Sequence, residues 1–194
     1  MAWSTAKVPV ALAVGRTPQG PALRSTMRRA ITASDNDAAI RLWESLGEPS
    51  TAAVATDRVL RDFGDQQTRT QARQVRPPYT AFGQTAWSLA DQTSFAATLP
   101  CRREAGEVYS AMGEVVPSQH WGLGQIAGAH FKGGWGPSER GYLVRQFGVI
   151  PSPQGRVAVA IAVDADSFEE GTAILTRTAQ WLDLHRAGLP AGSC

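Results

Sequence analysis

Residues 156–163 alternate branched and small side chains, and this pattern constrains the fold more than any other part of the sequence. An alternation of period two indicates a β-strand with two different faces. The small face lets a helix pack closely against the strand. We therefore predict a strand here, with a branched face of Val157, Val159, Ile161 and Val163 and a small face of Ala158, Ala160 and Ala162.

Two more strands and a final helix are predicted around this segment. Residues 121–132 and 141–150 have the composition of strands, and 151–155 contains the prolines and glycine of a hairpin turn. A helix over 167–186 follows, because it opens with a Ser-x-x-Glu capping box and its apolar residues recur on one face.

The first 120 residues favour helices instead. The predicted helices cover residues 4–15, 21–32, 37–46, 51–63, 85–99 and 102–112. Between them, residues 64–82 form a long polar loop, and loops of this length are often functional. Helices followed by antiparallel strands and a last helix predict an α+β fold, with the helices packed on one sheet in a single domain over 1–194.

Composition excludes several classes of protein. The chain is 43% hydrophobic and 19% charged, as globular domains are, and its net charge of +2 comes from scattered residues, which argues against a nucleic-acid partner. No apolar run is long enough to span a bilayer, and the run Val8–Val14 lacks the cleavage site of a signal peptide. Cys101 and Cys194 could pair or stay free, and neither they nor the histidines show metal-ligand spacing.

The two lysines stand out in a chain that has 17 arginines. A lysine amine can lose its proton when it is buried, whereas a guanidinium cannot. Lys7 and Lys132 are therefore candidates for chemistry, although two ordinary surface lysines would give the same count.

Lys7 is the last residue of a Ser-x-x-Lys sequence that starts at Ser4. On a helix, positions i and i+3 share a face, so the amine would lie near the hydroxyl and could accept its proton. Such a sequence is common by chance when it stands alone.

A second polar sequence, Ser34-Asp35-Asn36, lies at a break between two predicted helices. There a serine can relay a proton and an asparagine can bind a substrate amide. The alternative is a helix cap, because Ser, Asp and Asn all cap helices well.

The third sequence is Lys132-Gly133-Gly134, at the predicted end of the first strand. Its lysine can bind a substrate carboxylate, and its glycines let a substrate approach the backbone. The alternative is a strand that ends in a glycine-rich turn.

These three sequences, in this order, resemble the S-x-x-K, S-D-N and K-T-G motifs of serine β-lactamases and penicillin-binding proteins. The class A branch is the most similar, through "AITASDNDAAIRLWESLG" and "FKGGWG". The resemblance implies a serine hydrolase without a cofactor, in which Ser4 is acylated, Lys7 is its base and Ser34 passes the proton to the leaving nitrogen. Lys132 would hold substrate and tune these protons.

The resemblance also implies a substrate-binding set. Asn36 would hold the substrate, and the backbone N–H groups of Ser4 and Trp135 would form the oxyanion hole. The full set is Asn36, Gly134, Trp135, Arg140 and Arg145, in which the two arginines are candidates for the substrate carboxylate. The substrate would be a small amide or ester, such as a β-lactam or a D-Ala-D-Ala-like peptide, and the family's usual location is the cell envelope.

Three departures from the family pattern shape the expected activity. Class A enzymes hydrolyse the acyl-enzyme with a loop glutamate, and this chain has no Glu between Glu48 and Glu104. Gly133 stands where the motif has a hydroxyl residue. The resemblance thus implies slow deacylation, with a D,D-peptidase or esterase and a catalytically silent binding protein as the alternatives.

The third departure concerns the sheet. The family places a helix and two strands ahead of the nucleophile, whereas Ser4 is the fourth residue here. The resemblance therefore implies a sheet of only three strands with an exposed edge. Either the natural start lies upstream, or the chain is shortened, or a partner such as a second copy covers that edge.

Overall fold

Seven α-helices and three β-strands make up the computed structural model, which describes residues 1–194. The α-helices are α1 Lys7–Gly15, α2 Arg24–Thr32, α3 Asn36–Ser45, α4 Pro49–Asp62, α5 Leu89–Thr98, α6 Gly106–Met112 and α7 Phe168–His185. The strands are β1 His130–Ser138, β2 Gly141–Ser152 and β3 Gly155–Ala165. The remaining helical segments are short 3-10 turns, of which Trp3–Ala6 leads directly into α1. The predicted α+β class is confirmed.

The three strands form one antiparallel sheet in the order β1-β2-β3. The second and third strands lie where the sequence predicted them and are two and three residues longer, respectively. The first prediction, 121–132, was wrong, because β1 begins only at His130. Gly122 and Gly128 have φ of 56° and 77°, which prevents an extended chain before that point. Lys132-Gly133-Gly134 therefore lies inside a strand and not at a turn.

The two faces of β3 differ as predicted. Ala158 and Ala160 pack on the main core, on the side where α5 lies against the strand. Val157 and Val159 pack in a second cluster with Ala179 of α7. The final helix begins as predicted, since the Ser167 hydroxyl accepts the N–H of Glu170 at 3.1 Å.

On the helical side, α1 is buried on all faces from Lys7 to Val14. A helix that is apolar all round is expected at the centre of a core. Ser4, which the pattern placed at the helix start, lies inside the preceding 3-10 turn and caps nothing. Its side chain is therefore not committed to the helix backbone.

Helix boundaries elsewhere shift by a few residues. The fourth helix begins early, with Pro49 in its first turn, where the missing N–H costs no hydrogen bond. The fifth begins late, because Ser88 adopts an extended conformation and caps it through the N–H of Asp91. None of the helices combines the length and hydropathy that crossing a bilayer requires.

The two cysteines form a disulfide that fastens the C-terminal tail. Cys194 is bonded to Cys101, which lies 93 positions earlier in the turn after α5. Just before it, Gly192 exchanges two backbone hydrogen bonds with Arg156 at the start of β3, each 2.9 Å long. The tail is thus held against the outer edge of the sheet.

We expect Cys101→Ser to lower the free energy of unfolding by about 2–4 kcal/mol, because the bond closes a long loop and restricts the unfolded chain. Urea denaturation under oxidising conditions measures this loss. The control is the same comparison with a reductant present, where the two proteins should unfold at similar urea concentrations. An unchanged midpoint under oxidising conditions would contradict the expectation.

Candidate active site

A cleft of about 600 Å³ separates the helical side of the molecule from β1. It is the largest of the described cavities that contains predicted site residues. Ser4, Lys7, Ser34, Asn36 and Trp135 all line it. The structure therefore gathers, in one place, side chains from the start of α1, the loop before α3 and the edge of the sheet.

Ser4 and Lys7 reach the cleft from consecutive turns of the same helical segment. Ser4 is partly exposed, whereas Lys7 is 2% exposed. Trp3 holds φ at 50°, a left-handed conformation that is rare for a residue other than glycine. Its indole packs edge-on against Tyr79 at 4.9 Å, and this contact fixes the turn immediately before Ser4.

The Lys7 amine is held by the loop before α3. Its Nζ donates to the Ser34 carbonyl oxygen at 2.5 Å and to Asn36 Oδ1 at 2.8 Å, and it lies 3.3 Å from Ser34 Oγ. Burial lowers the pKa of Lys7 to about 7, and the nearby Asp35 carboxylate opposes that shift. Near neutral pH a large fraction of this amine is therefore unprotonated and able to accept a proton.

The Ser34-Asp35-Asn36 loop combines both roles that its sequence allowed. The Asp35 carboxylate caps α3 by accepting the N–H of Ala38 at 2.9 Å. Ser34 has φ of 56°, and in this conformation both its carbonyl oxygen and its hydroxyl contact Lys7. The cap thus fixes the loop, and the loop presents Ser34 and Asn36 to the cleft.

Lys132 reaches the same serine from the sheet. It is fully buried, and its Nζ donates to Ser34 Oγ at 3.0 Å and to the Gly133 carbonyl oxygen at 2.9 Å. Burial, and then the positive charge of Lys7, hold its pKa well below the usual value. Ser34 Oγ therefore bridges the only two lysines of the chain.

The backbone of β1 completes the cleft. Gly134 approaches the first turn so closely that a Cβ there would lie 2.9 Å from the Ser4 nitrogen. The hydrogen bonds between Arg156 and Gly192 show that the backbone N–H and C=O of Arg156 point away from β2. Hydrogen-bonded and non-hydrogen-bonded pairs alternate along both strand ladders, so the N–H of Trp135 in β1 also points away from β2. Ser4, near the start of its turn, also has an N–H without an intrahelical acceptor. The two nitrogens of the expected oxyanion hole, those of Ser4 and Trp135, therefore both lie at this junction.

The Trp135 indole lies at the rim of the cleft. It packs against Trp121 and Phe168, with ring centroids 5.9 and 5.2 Å away, and Tyr142 extends the same cluster. These rings sit on the α7 side of the sheet, and the Trp135 side chain lies beside the cleft mouth.

Neither arginine that the resemblance suggested for a substrate carboxylate lines the cleft. Arg140 is exposed in the turn between β1 and β2. Arg145 is buried and donates to the Met1 carbonyl oxygen at 2.6 Å, to that of Trp87 at 2.8 Å and to Gln92 Oε1 at 2.5 Å. Its guanidinium joins the N-terminus to α5, so its place in the structure is architectural.

The loop over 64–82 forms one wall of the cleft, and the sequence did not indicate which of its residues would do so. Pro78, Tyr79 and Thr80 line the cleft opposite β1. The only sequence signal was the length of the loop, which does not tell which of its side chains turn inward.

No carboxylate lines the cleft. Three aspartates in the stretch between Glu48 and Glu104, where the expected glutamate is missing, have other partners. Asp57 accepts the N–H of Thr70 at 2.7 Å, Asp62 pairs with Arg16 at 2.7 Å, and Asp65 is buried beside Arg61. The acids of this region are thus occupied in holding the loop and its neighbours.

The histidines have structural contacts, as expected. The rings of His120, His130 and His185 hydrogen-bond to the backbone carbonyl oxygens of Val115, Tyr109 and Trp181. No group of three potential metal ligands lies close enough to hold an ion.

Comparison with solved structures places this arrangement among known folds. No family model and no curated protein sequence matches the chain. Its fold is similar to that of the chromosome-encoded β-lactamase of Vibrio parahaemolyticus (TM-score 0.71, 16% identity, 95% of this chain and 84% of the other). A class A β-lactamase from Bacteroides cellulosilyticus gives 0.73 at 12% identity, covering 96% and 84%. One from Mycobacterium abscessus gives 0.71 at 16% identity, covering 97% and 85%.

These similarities extend over nearly the whole chain, at identities that leave little besides the fold in common. They agree with the resemblance read from the three motifs. The chain therefore has the fold of the class A serine β-lactamases.

Proposed function

We propose that the protein is a β-lactamase-like serine hydrolase that forms an acyl-enzyme at Ser4. The observation that carries this proposal is the hydrogen-bonded chain from Lys7 through Ser34 to Lys132 in a cleft that also contains Ser4. Two buried amines that share one hydroxyl beside a partly exposed serine supply a base and a proton path.

In the acylation step, the neutral Lys7 amine takes the Ser4 proton as Oγ attacks the substrate carbonyl. The negative charge that develops on the carbonyl oxygen is stabilised by the N–H groups of Ser4 and Trp135. Ser34 Oγ donates a proton to the leaving nitrogen, and the protonated Lys7 or Lys132 amine replaces that proton. The bond to nitrogen breaks and an ester at Ser4 remains.

The substrate is a small amide or ester that carries an anionic group. Asn36 Oδ1 is engaged by Lys7, which leaves its amide N–H₂ free to bind a substrate carbonyl. A substrate carboxylate near Lys132 would supply the negative charge that the cleft itself lacks, since no protein carboxylate lines it. A β-lactam or a D-Ala-D-Ala-like peptide has this chemistry.

The second candidate is a D,D-peptidase or esterase on the same fold. It is favoured by one observation, the lack of a carboxylate that could activate a hydrolytic water over the acyl-enzyme. The two candidates share the acylation step and differ in how the ester at Ser4 is resolved.

Export to the cell envelope is part of the same proposal. The disulfide between Cys101 and Cys194 supports it, because such bonds persist mainly in oxidising compartments.

Ser4→Ala is expected to abolish covalent labelling by a fluorescent penicillin, because it removes the hydroxyl that attacks the β-lactam carbonyl. Gel fluorescence after denaturation measures the label. The matched control is Ser94→Ala, which removes an exposed hydroxyl from α5 and should label like the wild type. Equal labelling of Ser4→Ala would refute Ser4 as the nucleophile, and an unlabelled wild type would favour a silent binding protein.

The acylation rate should rise about tenfold per pH unit below pH 7 and level off above it, because Lys7 acts as a base only when unprotonated and its pKa is about 7. Stopped-flow labelling across pH 5–9 tests this expectation. Lys7→Arg, whose guanidinium stays protonated, should be slow throughout, with circular dichroism to confirm that it is folded. A wild-type rate that does not change between pH 5 and 9 would remove Lys7 from this role.

The penicilloyl adduct at Ser4 should persist, because no carboxylate is placed to activate water against it. Intact-protein mass spectrometry after mixing with penicillin should show one adduct that remains after the free drug is removed. Nitrocefin turnover should be correspondingly slow. Rapid loss of the adduct with fast turnover would show that another group activates the water.

A further inference from the structure

The cleft that contains Ser4 has two ends of different chemistry. Its polar end presents Lys7, Ser34 and Asn36, and Lys7 is the only charged residue in the lining. The other end, the aromatic end, is lined by three aromatic residues and two prolines: Trp3, Tyr79, Tyr142, Pro78 and Pro137. A group that enters the aromatic end therefore exchanges water for rings and methylene groups, with no charge to pair with.

Strand β1 orders these features along the cleft. Its Lys132 bonds to the polar end, and its Gly134 lies against the turn that bears Ser4. Its Gly136 lies so close to the Trp3 indole that a Cβ there would be 2.6 Å from a ring carbon. The polar end, the nucleophile and the aromatic end therefore follow one another in that order along a single strand.

The two walls of the aromatic end are held together. Arg76 bridges them, since its guanidinium donates to the Pro137 carbonyl oxygen of β1 at 3.0 Å and lies 5.7 Å from the centroid of the Tyr79 ring. The buried Gln84 side chain donates to the Tyr79 carbonyl oxygen at 2.8 Å. Burial and then the Tyr79 phenol raise the pKa of Tyr142, as expected for two phenols that lie close together. The aromatic end is thus formed before a substrate binds, which lowers the entropy cost of binding there.

The direction of the substrate follows from the proposed acylation at Ser4, on which this inference rests. The carbonyl carbon lies at Ser4 Oγ, the carbonyl oxygen lies at the nitrogens of Ser4 and Trp135, and the leaving nitrogen faces Ser34. The remaining substituent, the acyl side chain, then points away from Ser34 and along β1 towards Pro137. Trp135 and Pro137 are two residues apart, or about 7 Å along a strand, which is enough for a phenyl ring on a one-carbon spacer.

We propose that the acyl side chain of the substrate carries an aromatic ring, which binds between Tyr79 and Tyr142 at the aromatic end. Rings favour edge-to-face or offset contacts with other rings, and such pairs add to the free energy gained from burial alone. Trp3 already packs edge-on against Tyr79 with ring centroids 4.9 Å apart, so a substrate ring would extend an existing cluster. A charged side chain would lose its hydration there without a partner. These three residues therefore determine specificity and do not touch the reacting atoms.

Acylation rates with three penicillins test the proposal. The first carries a benzyl side chain, the second a cyclohexylmethyl side chain of similar size, and the third, 6-aminopenicillanic acid, has no acyl side chain. Intact-protein mass spectrometry after timed mixing gives the rate of adduct formation, with Ser4→Ala as the blank. The wild type should react about tenfold faster with the benzyl compound than with the cyclohexylmethyl compound, because only the benzyl group can make ring–ring contacts.

Variants at Tyr79 test the contribution of its ring. Tyr79→Leu should bring the ratio of the benzyl rate to the cyclohexylmethyl rate close to one. Tyr79→Phe should keep the wild-type ratio, since the ring and not the hydroxyl makes the contact. The matched control is Tyr109→Leu, which removes a ring from α6, outside the cleft lining, and should leave both rates unchanged. Circular dichroism confirms that each variant is folded.

The possible outcomes separate this inference from the proposed function. If the wild type reacts equally fast with the benzyl and cyclohexylmethyl compounds, acylation at Ser4 stands and the aromatic subsite is refuted. If Tyr79→Leu slows all three reactions by the same factor, Tyr79 only supports the turn before Ser4, and the subsite is again refuted. If none of the three compounds forms an adduct with the wild type, the proposed function fails and this inference fails with it.

Discussion

The hydrogen bonds that Ser34 Oγ makes with Lys7 and Lys132 join the two halves of the molecule. One lysine opens the central helix of the core, and the other lies in the first strand of the sheet. Each amine loses its hydration on burial, a cost that protein hydrogen bonds must offset. Without Ser34, Lys132 would have only the Gly133 carbonyl oxygen as a partner. The loop before α3 is thus held in place by its hydrogen bonds to two buried amines, as well as by the Asp35 cap of its own helix.

This constraint operates only because the backbone of β1 comes very close to the turn that bears Ser4. The absence of a side chain at Gly134 permits that approach, since a Cβ would overlap with the Ser4 and Thr5 nitrogens and with the Ala2 carbonyl oxygen. The same closeness brings the N–H groups of Ser4 and Trp135 to one cleft. Arg145 supports the junction from the other side by binding the Met1 carbonyl oxygen. Packing at the N-terminus and geometry at the cleft are therefore parts of one arrangement.

The residues of the cleft were predictable where their chemistry was unusual for this chain. Lys7 and Lys132 were predicted because lysine is rare in this arginine-rich chain. The serines and the asparagine of the neighbouring motifs predicted the rest of the polar cluster. The sequence suggested Arg145 as a ligand for a substrate carboxylate, but its guanidinium binds backbone carbonyl oxygens of the protein instead. A strand position fixes the face on which a side chain lies, and the sequence does not show which groups pack against that face. The start of β1 was missed because positive φ at Gly122 and Gly128 outweighed the apolar composition around them. Tyr79 and Thr80 gave no signal, since the path of a long loop depends on contacts distant in sequence.

One alternation governs both free edges of the sheet. Antiparallel pairing fixes which residues of each strand bond to their neighbour, and the registers of β1 with β2 and of β2 with β3 carry that choice across. The alternation that points the N–H of Trp135 towards the Ser4 turn is the same one that points the N–H of Ala160 away from β2 at the other edge. The first edge is covered by the helical side and lines the cleft. The second bonds only to the tail, through Gly192 at Arg156, so the hydrogen bonds that position Trp135 do not depend on its other outward groups.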